Sequence, residues 1–351
     1  MKVASFPKAL VPLLDDTTVS IFHQLLRDDA TVKFRVYELI SQICTLSDNA
    51  LGLCQRSGLL DSLVAELYVD DVLSVINTIE LFKQLMRTVV GYAFLENAHI
   101  LKHLAEFIQD EDFEDTSNVL TKCAVMKFFG DLAAFEPARF AEVQASLNVL
   151  ALLDKQLDSP RQELKDAALQ TIGNVGSTPQ GLKLLDSQNS LLASFTEVYG
   201  SAAGPTRTTA MLSLSALLVG GTGPAEASET ARRIFQGLGG TNELQRLIQN
   251  GKSAFDESRF AAYAVLKGLA VLPWGLQEFN ASSEFVNFIT DRGLEKRLTG
   301  KEWRFAILRA AVQNPQADQQ LNQHVLARFK KYVSEGAFYT EVQPVVAMQS
   351  S

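Results

Sequence analysis

An all-α chain, folded as a right-handed α-solenoid, is what this sequence predicts, on three observations. The first is a recurring turn between apolar helical segments, anchored at Gly52, Gly91, Pro137, Gly181, Ser228, Gly275 and Asn314. The spacings of these anchors, 39, 46, 44, 47, 47 and 39 residues, fall in the range of armadillo and HEAT repeats. Three anchors share their neighbours as well: Gly91-Tyr-Ala-Phe-Leu, Gly181-Leu-Lys-Leu-Leu and Gly275-Leu-Gln-Glu-Phe. The second observation is apolar periodicity at helical spacing, often on two sides of one helix. The third is a lack of strand signals, with no long alternating run and no Asn-Gly hairpin between two such runs.

The elements follow in order. Val36, Leu39, Ile40 and Ile43 form one stripe of a long helix, which the polar stretch Ser47-Asp48-Asn49 ends. A short helix runs to Cys54. Gly58 then allows a sharp turn where a Cβ would be costly, before Leu59, Leu60, Leu63, Val64 and Leu67. This order of long helix, short helix, glycine and further helix is that of an armadillo repeat. In the next long helix Val72, Val75, Ile76, Ile79, Phe82 and Met86 make a stripe, and Leu73, Leu81 and Leu85 a second flank. Apolar residues on two sides predict an inner helix sandwiched by neighbours. The pattern returns in Val125, Phe128, Phe129 and Leu132, in Leu164, Ala168, Ile172 and Val175, and in Ala261, Val265, Leu269 and Leu272. Gly130 and Gly173 lie inside these helices, at about 1 kcal/mol each against Ala, and are expected to mark close approach of a neighbouring helix. Gln109 to Asp115 reads as an acidic solvated connector; Gly200 to Thr206 and Gly220 to Ala225 read as flexible connectors. The organisation expected is a single solenoid of about seven repeats over residues 1–338 and a tail at 339–351.

Composition narrows the function. The hydrophobic fraction of 47% is ample for a buried core, and the net charge of −8 argues against a general nucleic-acid binder. Cys44, Cys54 and Cys123 are an odd number without metal spacing. With no signal peptide they fit small core residues in a reducing, cytoplasmic or nuclear, compartment. No apolar run reaches the length of a membrane span. Asn250-Gly251-Lys252-Ser253 resembles the end of a phosphate loop, but Arg246 stands where that loop needs glycine. His99 and His103 lie four apart on a helix without a third ligand of suitable spacing, and no nucleophile motif accompanies the four histidines. The expectation is a binding protein, with no cofactor, metal or catalytic residue.

Charge placement supplies the candidate site. The long helices expected to line an inner wall, at 33–45, 72–87, 120–134, 161–175, 206–218, 258–270 and 301–312, together carry +8, leaving −16 for the rest. A cationic groove in an acidic body would steer and align an acidic partner surface. Its basic residues are Arg35, Lys83, Lys127, Lys165, Arg207, Arg259, Lys267, Arg304 and Arg309. Phe34, Tyr37, Tyr263 and Trp303 lie among them as candidate contact anchors.

Three segments carry a family resemblance: Val32-Lys-Phe-Arg-Val-Tyr-Glu-Leu-Ile40, Met126-Lys-Phe-Phe-Gly-Asp-Leu-Ala133 and Tyr332-Val-Ser-Glu-Gly-Ala-Phe-Tyr339. In sequence, order and spacing they resemble the 26S proteasome non-ATPase regulatory subunit 5 family, over nearly the whole chain. The resemblance implies armadillo/HEAT-like repeats and a non-catalytic assembly chaperone of the proteasome regulatory particle. Such a chaperone binds the C-terminal domain of an ATPase subunit of the base and leaves before the finished particle forms. The alternative is a general armadillo adaptor in transport or signalling. Transport receptors of that kind carry Trp and Asn ladders for basic peptides, whereas only Trp274 and Trp303 occur here and the expected wall is basic. Family members have further repeats before the segment matching Lys33. That implies an uncapped apolar face near Leu10, Leu13, Leu14, Ile21 and Phe22, and self-association through it.

Overall fold

The computed structural model of the protein describes residues 14–110 and 115–340. Among the described residues there are twenty-two α-helices and no β-strand, so the chain is an all-α solenoid. Its contacts divide it into two compact units, with the break between Phe195 and Thr196.

In the first unit α1 (Asp16–Leu25) precedes a series of helix triplets, each opened by a long helix. These are α2 (Ala30–Cys44), α3 (Asp48–Arg56) and α4 (Leu59–Ala65); α5 (Val72–Leu85), α6 (Val89–Asn97) and α7 (Ile100–Gln109); α8 (Thr116–Phe135), α9 (Pro137–Leu147) and α10 (Val149–Leu157); and α11 (Gln162–Val175) and α12 (Pro179–Asp186), followed by α13 (Asn189–Ser201), within which the division between the units falls. The second unit continues with α14 (Gly204–Gly220), α15 (Ala225–Gly237) and α16 (Thr241–Asn250); α17 (Asp256–Ala270), α18 (Pro273–Ala281) and α19 (Ser283–Thr290); and α20 (Leu298–Gln313), α21 (Ala317–Gln320) and α22 (Gln323–Glu335). Each long helix packs beside the next within its unit: α2 on α5, α5 on α8 and α8 on α11 in the first, α14 on α17 and α17 on α20 in the second. Equivalent short helices stack behind them, α9 on α12 and α16 on α19 among others. The core lies between the two layers, where Ile40, Phe82, Phe129, Ile172, Leu214, Val265 and Leu308 are fully buried.

Local chemistry sets the helix ends. Asp29, Asp71 and Asp115 cap α2, α5 and α8 by accepting first-turn amide hydrogens, and Thr88 and Thr178 do the same for α6 and α12. Pro137, Pro179 and Pro273 open their short helices, where no N–H is needed. The matching glycines have a steric cause. A Cβ on Gly91 would lie 2.2 Å from the Leu85 carbonyl oxygen, on Gly181 1.7 Å from that of Val175, and on Gly275 2.2 Å from that of Leu269. In these repeats the short helix starts against the last backbone turn of the long one, and only glycine fits. Gly52 differs from them. A Cβ there meets only the Arg56 side chain, and the position equivalent to Gly91 is the buried Ala50, third residue of α3 as Gly91 is of α6. Pro137, Ser228 and Asn314 likewise stand near the starts of α9, α15 and α21 without being the matching residue.

A second corner recurs before the third helix of a triplet. Gly58 adopts φ +73° there as expected, and His99, Asn148 and Gly240 take positive φ at the same corner of later repeats. His99 is therefore a turn residue in a conformation that costs a side-chain-bearing residue about 1–2 kcal/mol. Replacing it by Gly should raise stability by about 1 kcal/mol, read as an upward shift of the thermal midpoint; a fall would show that the imidazole contributes more than the backbone strain. Gly130 also behaves as expected, since its Cβ would crowd Thr171 and Asn174 of α11 at 3.2–3.3 Å.

Several connectors differ from expectation. α13 runs through Ser201 and α14 begins at Gly204, so most of the Gly/Pro-rich stretch expected as a flexible connector is helical; Ala225 opens α15. Proline at the start of α14 explains this, because its fixed φ suits the first helical turn. Part of the acidic connector, residues 111–114, most of the expected tail, 341–351, and Leu10 and Leu13 lie outside the described residues. Of the remaining apolar residues near the N-terminal end, Leu14 and Phe22 are buried and only Ile21 is exposed. The apolar face expected there is thus reduced to Ile21 among the described residues. Among the described residues no single helix is long and apolar enough to cross a membrane.

Candidate functional site

In each unit the long helices bury one side against the short helices, and their free stripes are where the basic residues were expected. With the observed bounds their nets are +1, 0, +1, −1, +1, 0 and +2, a total of +4 and half the expected excess. Arg87 and Arg161 fall just outside α5 and α11, while Asp256 and Glu257 fall inside α17. In the first unit Arg35 and Lys127 are exposed and Lys165 is half-buried. Lys83 bridges Glu80 at 2.8 Å and Asp131 at 3.2 Å. Glu38, Glu163 and Asp166 share the same stripes, so this face is mixed in charge rather than cationic.

Four of the predicted contact residues are interior. Tyr37 and Tyr263 are 2% and 1% exposed, and Arg259 and Arg304 are buried with them. None of the four is exposed on the face where the basic residues were expected. Tyr37, Tyr263 and Arg259 belong to a device that sequence reasoning missed, a buried glutamate taking a tyrosine hydroxyl and a cation. Glu66 accepts from Tyr37 at 3.2 Å and pairs with Lys33 at 2.9 Å. Glu295 accepts from Tyr263 at 3.2 Å and pairs with Arg259 at 2.9 Å. Glu243, fully buried, accepts from Tyr199 at 2.7 Å and pairs with Arg207 at 2.7 Å, while Arg246 reaches its other oxygen at 3.3 Å. Burial first, then the neighbouring carboxylate, holds the three tyrosine hydroxyls well above their usual pKa. In two triads the cation and tyrosine are four apart on the long helix, Lys33 with Tyr37 and Arg259 with Tyr263. That spacing was legible. The glutamate, roughly one repeat further on, was not. These ties lock each long helix to the end of its own triplet, and they explain why much of the basic charge is internal.

What remains free in the second unit has another character. α14 presents Leu212 and Val219, 50% and 51% exposed, and Val271 just after α17 is 40% exposed. On the neighbouring helices Phe260 of α17 and Trp303 and Phe305 of α20 are half-buried, with Lys267 and Arg309 exposed. Lys267 lies over the Trp303 ring at 5.8 Å and Arg309 over Phe305 at 5.7 Å, so cations rim the aromatic surface. Gly268 lets α17 approach Leu218 of α14 closely, which brings the two helices side by side. The three helices thus carry exposed apolar and half-buried aromatic residues together with exposed cations, the composition of a protein-contact surface. Trp303 was among the expected contact anchors, whereas Leu212 and Val219 escaped the sequence reading because the second half of α14 carries apolar residues on every side, and nothing in its pattern marks which side is covered.

Among the described residues no three His, Cys, Asp or Glu side chains stand close enough to hold a metal ion. His103 is packed between Tyr68 and Phe107 and bonded to Glu106. Cys44 and Cys54 are buried free thiols and Cys123 is half-buried, its thiol pushed up to about 11 chiefly by burial.

The profile of the proteasome non-ATPase 26S subunit family matches residues 9–351. The chain belongs to that family. It is 26% identical over 349 residues to the 26S proteasome non-ATPase regulatory subunit 5 of Bos taurus and 24% identical over 347 residues to that of Homo sapiens. Each alignment covers 97% of this chain and 67% of the relative. The Drosophila melanogaster protein of the same name is 25% identical, covering 93% of this chain and 64% of that one. Among solved structures, an engineered protein aligns with a TM-score of 0.55 at 16% identity, over 95% of this chain and 83% of its own. A designed armadillo repeat protein aligns over 71% of this chain with a TM-score of 0.46.

Proposed function

We propose that this family member is a non-catalytic assembly chaperone of the proteasome regulatory particle. In this reading it holds the C-terminal domain of a base ATPase subunit and delays its docking on the 20S core. Family membership supports a proteasome-related role. The observation that carries the binding step is the face of α14, α17 and α20, where Leu212, Val219, Phe260 and Trp303 stand within a rim of Lys267 and Arg309. Such a surface suits a partner with an apolar patch bordered by carboxylates, whose approach the basic rim would steer. In this reading the partner face lies in the second unit, on fewer residues than the full set of basic positions.

The test is affinity purification with the full chain, followed by binding to the recovered subunit. Base ATPases are expected without the 20S core. A Leu212→Asp/Lys267→Glu variant should lose at least about tenfold in affinity while its thermal midpoint stays close to the parent's, because both residues are exposed. Charge reversal at Lys127, in the mixed-charge first unit, should have a smaller effect. Equal affinity for parent and double variant would remove this face from the reading, and co-purification of assembled 20S core would remove the chaperone role.

A further inference from the structure

One cleft in the second unit has no part in the partner face. It has a volume of about 650 Å³ and opens between the end of α19, the connector 291–297, the start of α20 and the end of α22. Lys301, Arg304, Arg328 and Lys331 line it, with Arg292 at its edge. Arg304 is the unusual member. It is 1% exposed, one of its amino groups donates to the Phe288 carbonyl, and its Nε and Nη1 have no hydrogen-bond partner. Its guanidinium rests 5.3 Å from the Phe288 ring and forms no ion pair with any described carboxylate. A buried cation without a counter-charge is strongly unfavourable, and an anion brought within reach offsets that cost.

The carboxylates nearby are already engaged. Glu295 is held by Arg259 and Tyr263 and also accepts the Arg297 amide at 2.8 Å. Glu335 is held by Arg292 at 3.2 Å and Lys331 at 3.9 Å. Asp291 accepts the Gly293 amide at 2.9 Å. Arg328 donates only to neutral groups here, Asn287 Oδ1 at 3.0 Å and Thr290 Oγ1 at 2.6 Å, so its charge is not cancelled locally. Five cations and three carboxylates leave the lining at +2, which a phosphate monoester of charge about −1.5 to −2 would neutralise. Guanidinium forks also suit phosphate oxygens better than a point charge does.

We propose that this cleft binds a phosphate monoester, with Arg304 meeting it from the floor and Lys301 and Arg328 from the rim. The site is independent of the ATPase reading. The phosphate is carried either by a small molecule or by a phosphorylated serine of a bound protein, and the same three side chains serve both.

Calorimetric titration of the full chain at fixed ionic strength tests it, with phenyl phosphate, a phosphoserine pentapeptide and its unphosphorylated twin as probes. Saturable one-to-one binding of a phosphorylated probe is expected, with none for the twin. Binding of the ester alone identifies a small-molecule source, and tighter binding of the phosphopeptide a protein source. Lys301→Gln/Arg328→Gln should weaken binding by at least about tenfold with an unchanged circular dichroism spectrum. Lys330→Gln, on α22 but outside the cleft lining, should leave it unchanged. Arg304→Met should abolish binding and raise the thermal midpoint, because a buried charge is removed; a merely structural arginine would lower the midpoint. Absence of saturable binding, undiminished binding in the double variant, or benzoate binding as tightly as phenyl phosphate would each overturn the proposal.

Discussion

Glu243→Ala is expected to destabilise the second unit by about 3–5 kcal/mol, the cost of breaking a buried ion pair from one side. The carboxylate is fully buried and takes three donors: Tyr199 at 2.7 Å, Arg207 at 2.7 Å and Arg246 at 3.3 Å. Removing it leaves the Arg207 guanidinium, which is stacked 4.2 Å from the Tyr199 ring and bonded to the Tyr199 carbonyl, without its counter-charge in a dry site. The loss would come from the stranded cation more than from the attraction itself. Glu243→Leu with Arg207→Met should therefore recover much of the stability, since a well-packed apolar pair often replaces a buried ion pair at little cost. Urea unfolding of the single and double variants decides the matter. A double variant as unstable as the single one would show that attraction, rather than stranded charge, dominates.

Gly181→Ala should cost about 3 kcal/mol, at the upper end of the range for forcing extra atoms into a packed site. The new Cβ would stand 1.7 Å from the Val175 carbonyl oxygen, 2.8 Å from its carbon and 3.1 Å from the Thr178 hydroxyl oxygen. The obstruction is backbone, which no rotamer change relieves. α12 must move away from the end of α11, and the Thr178 cap on the Gly181 amide, at 3.1 Å, goes with it. Gly52→Ala is the matched control. Its Cβ meets only the flexible Arg56 guanidinium at 3.3 Å, and Gly inside a helix gives up about 0.5–1 kcal/mol to Ala, so this change should stabilise. Thermal unfolding of the two variants should thus shift in opposite directions, and equal shifts would refute the steric assignment.

The contrast between those two glycines shows how far the sequence could be read. The motif Gly-Leu-Lys-Leu-Leu at 181 and its counterparts at 91 and 275 marked a common corner through shared neighbours, and the corner has a common steric cause. Gly52, for which no such neighbours were matched, sits two residues from the equivalent Ala50. Helix positions were more secure, because apolar period and capping residues act over a few residues only. The long helix expected at 72–87 is Val72–Leu85, and that expected at 161–175 is Gln162–Val175. The candidate site fared differently. Of its basic residues Lys267, Arg309, Arg35 and Lys127 are exposed, whereas Arg259 and Arg304 are buried.

Sequence alone determined that this chain is a series of long and short helices with tight corners, since periodicity, caps and obligatory glycines are local properties of the backbone. The family is legible in the sequence as well, through a profile match over residues 9–351. Only the tertiary structure decided which cations face solvent. Whether an arginine is free or held depends on a carboxylate that folding brings from some 30 to 40 residues away: Glu66 to Lys33, Glu243 to Arg207, Glu295 to Arg259. A side chain's charge is written in the sequence, but its exposure depends on what packs against it.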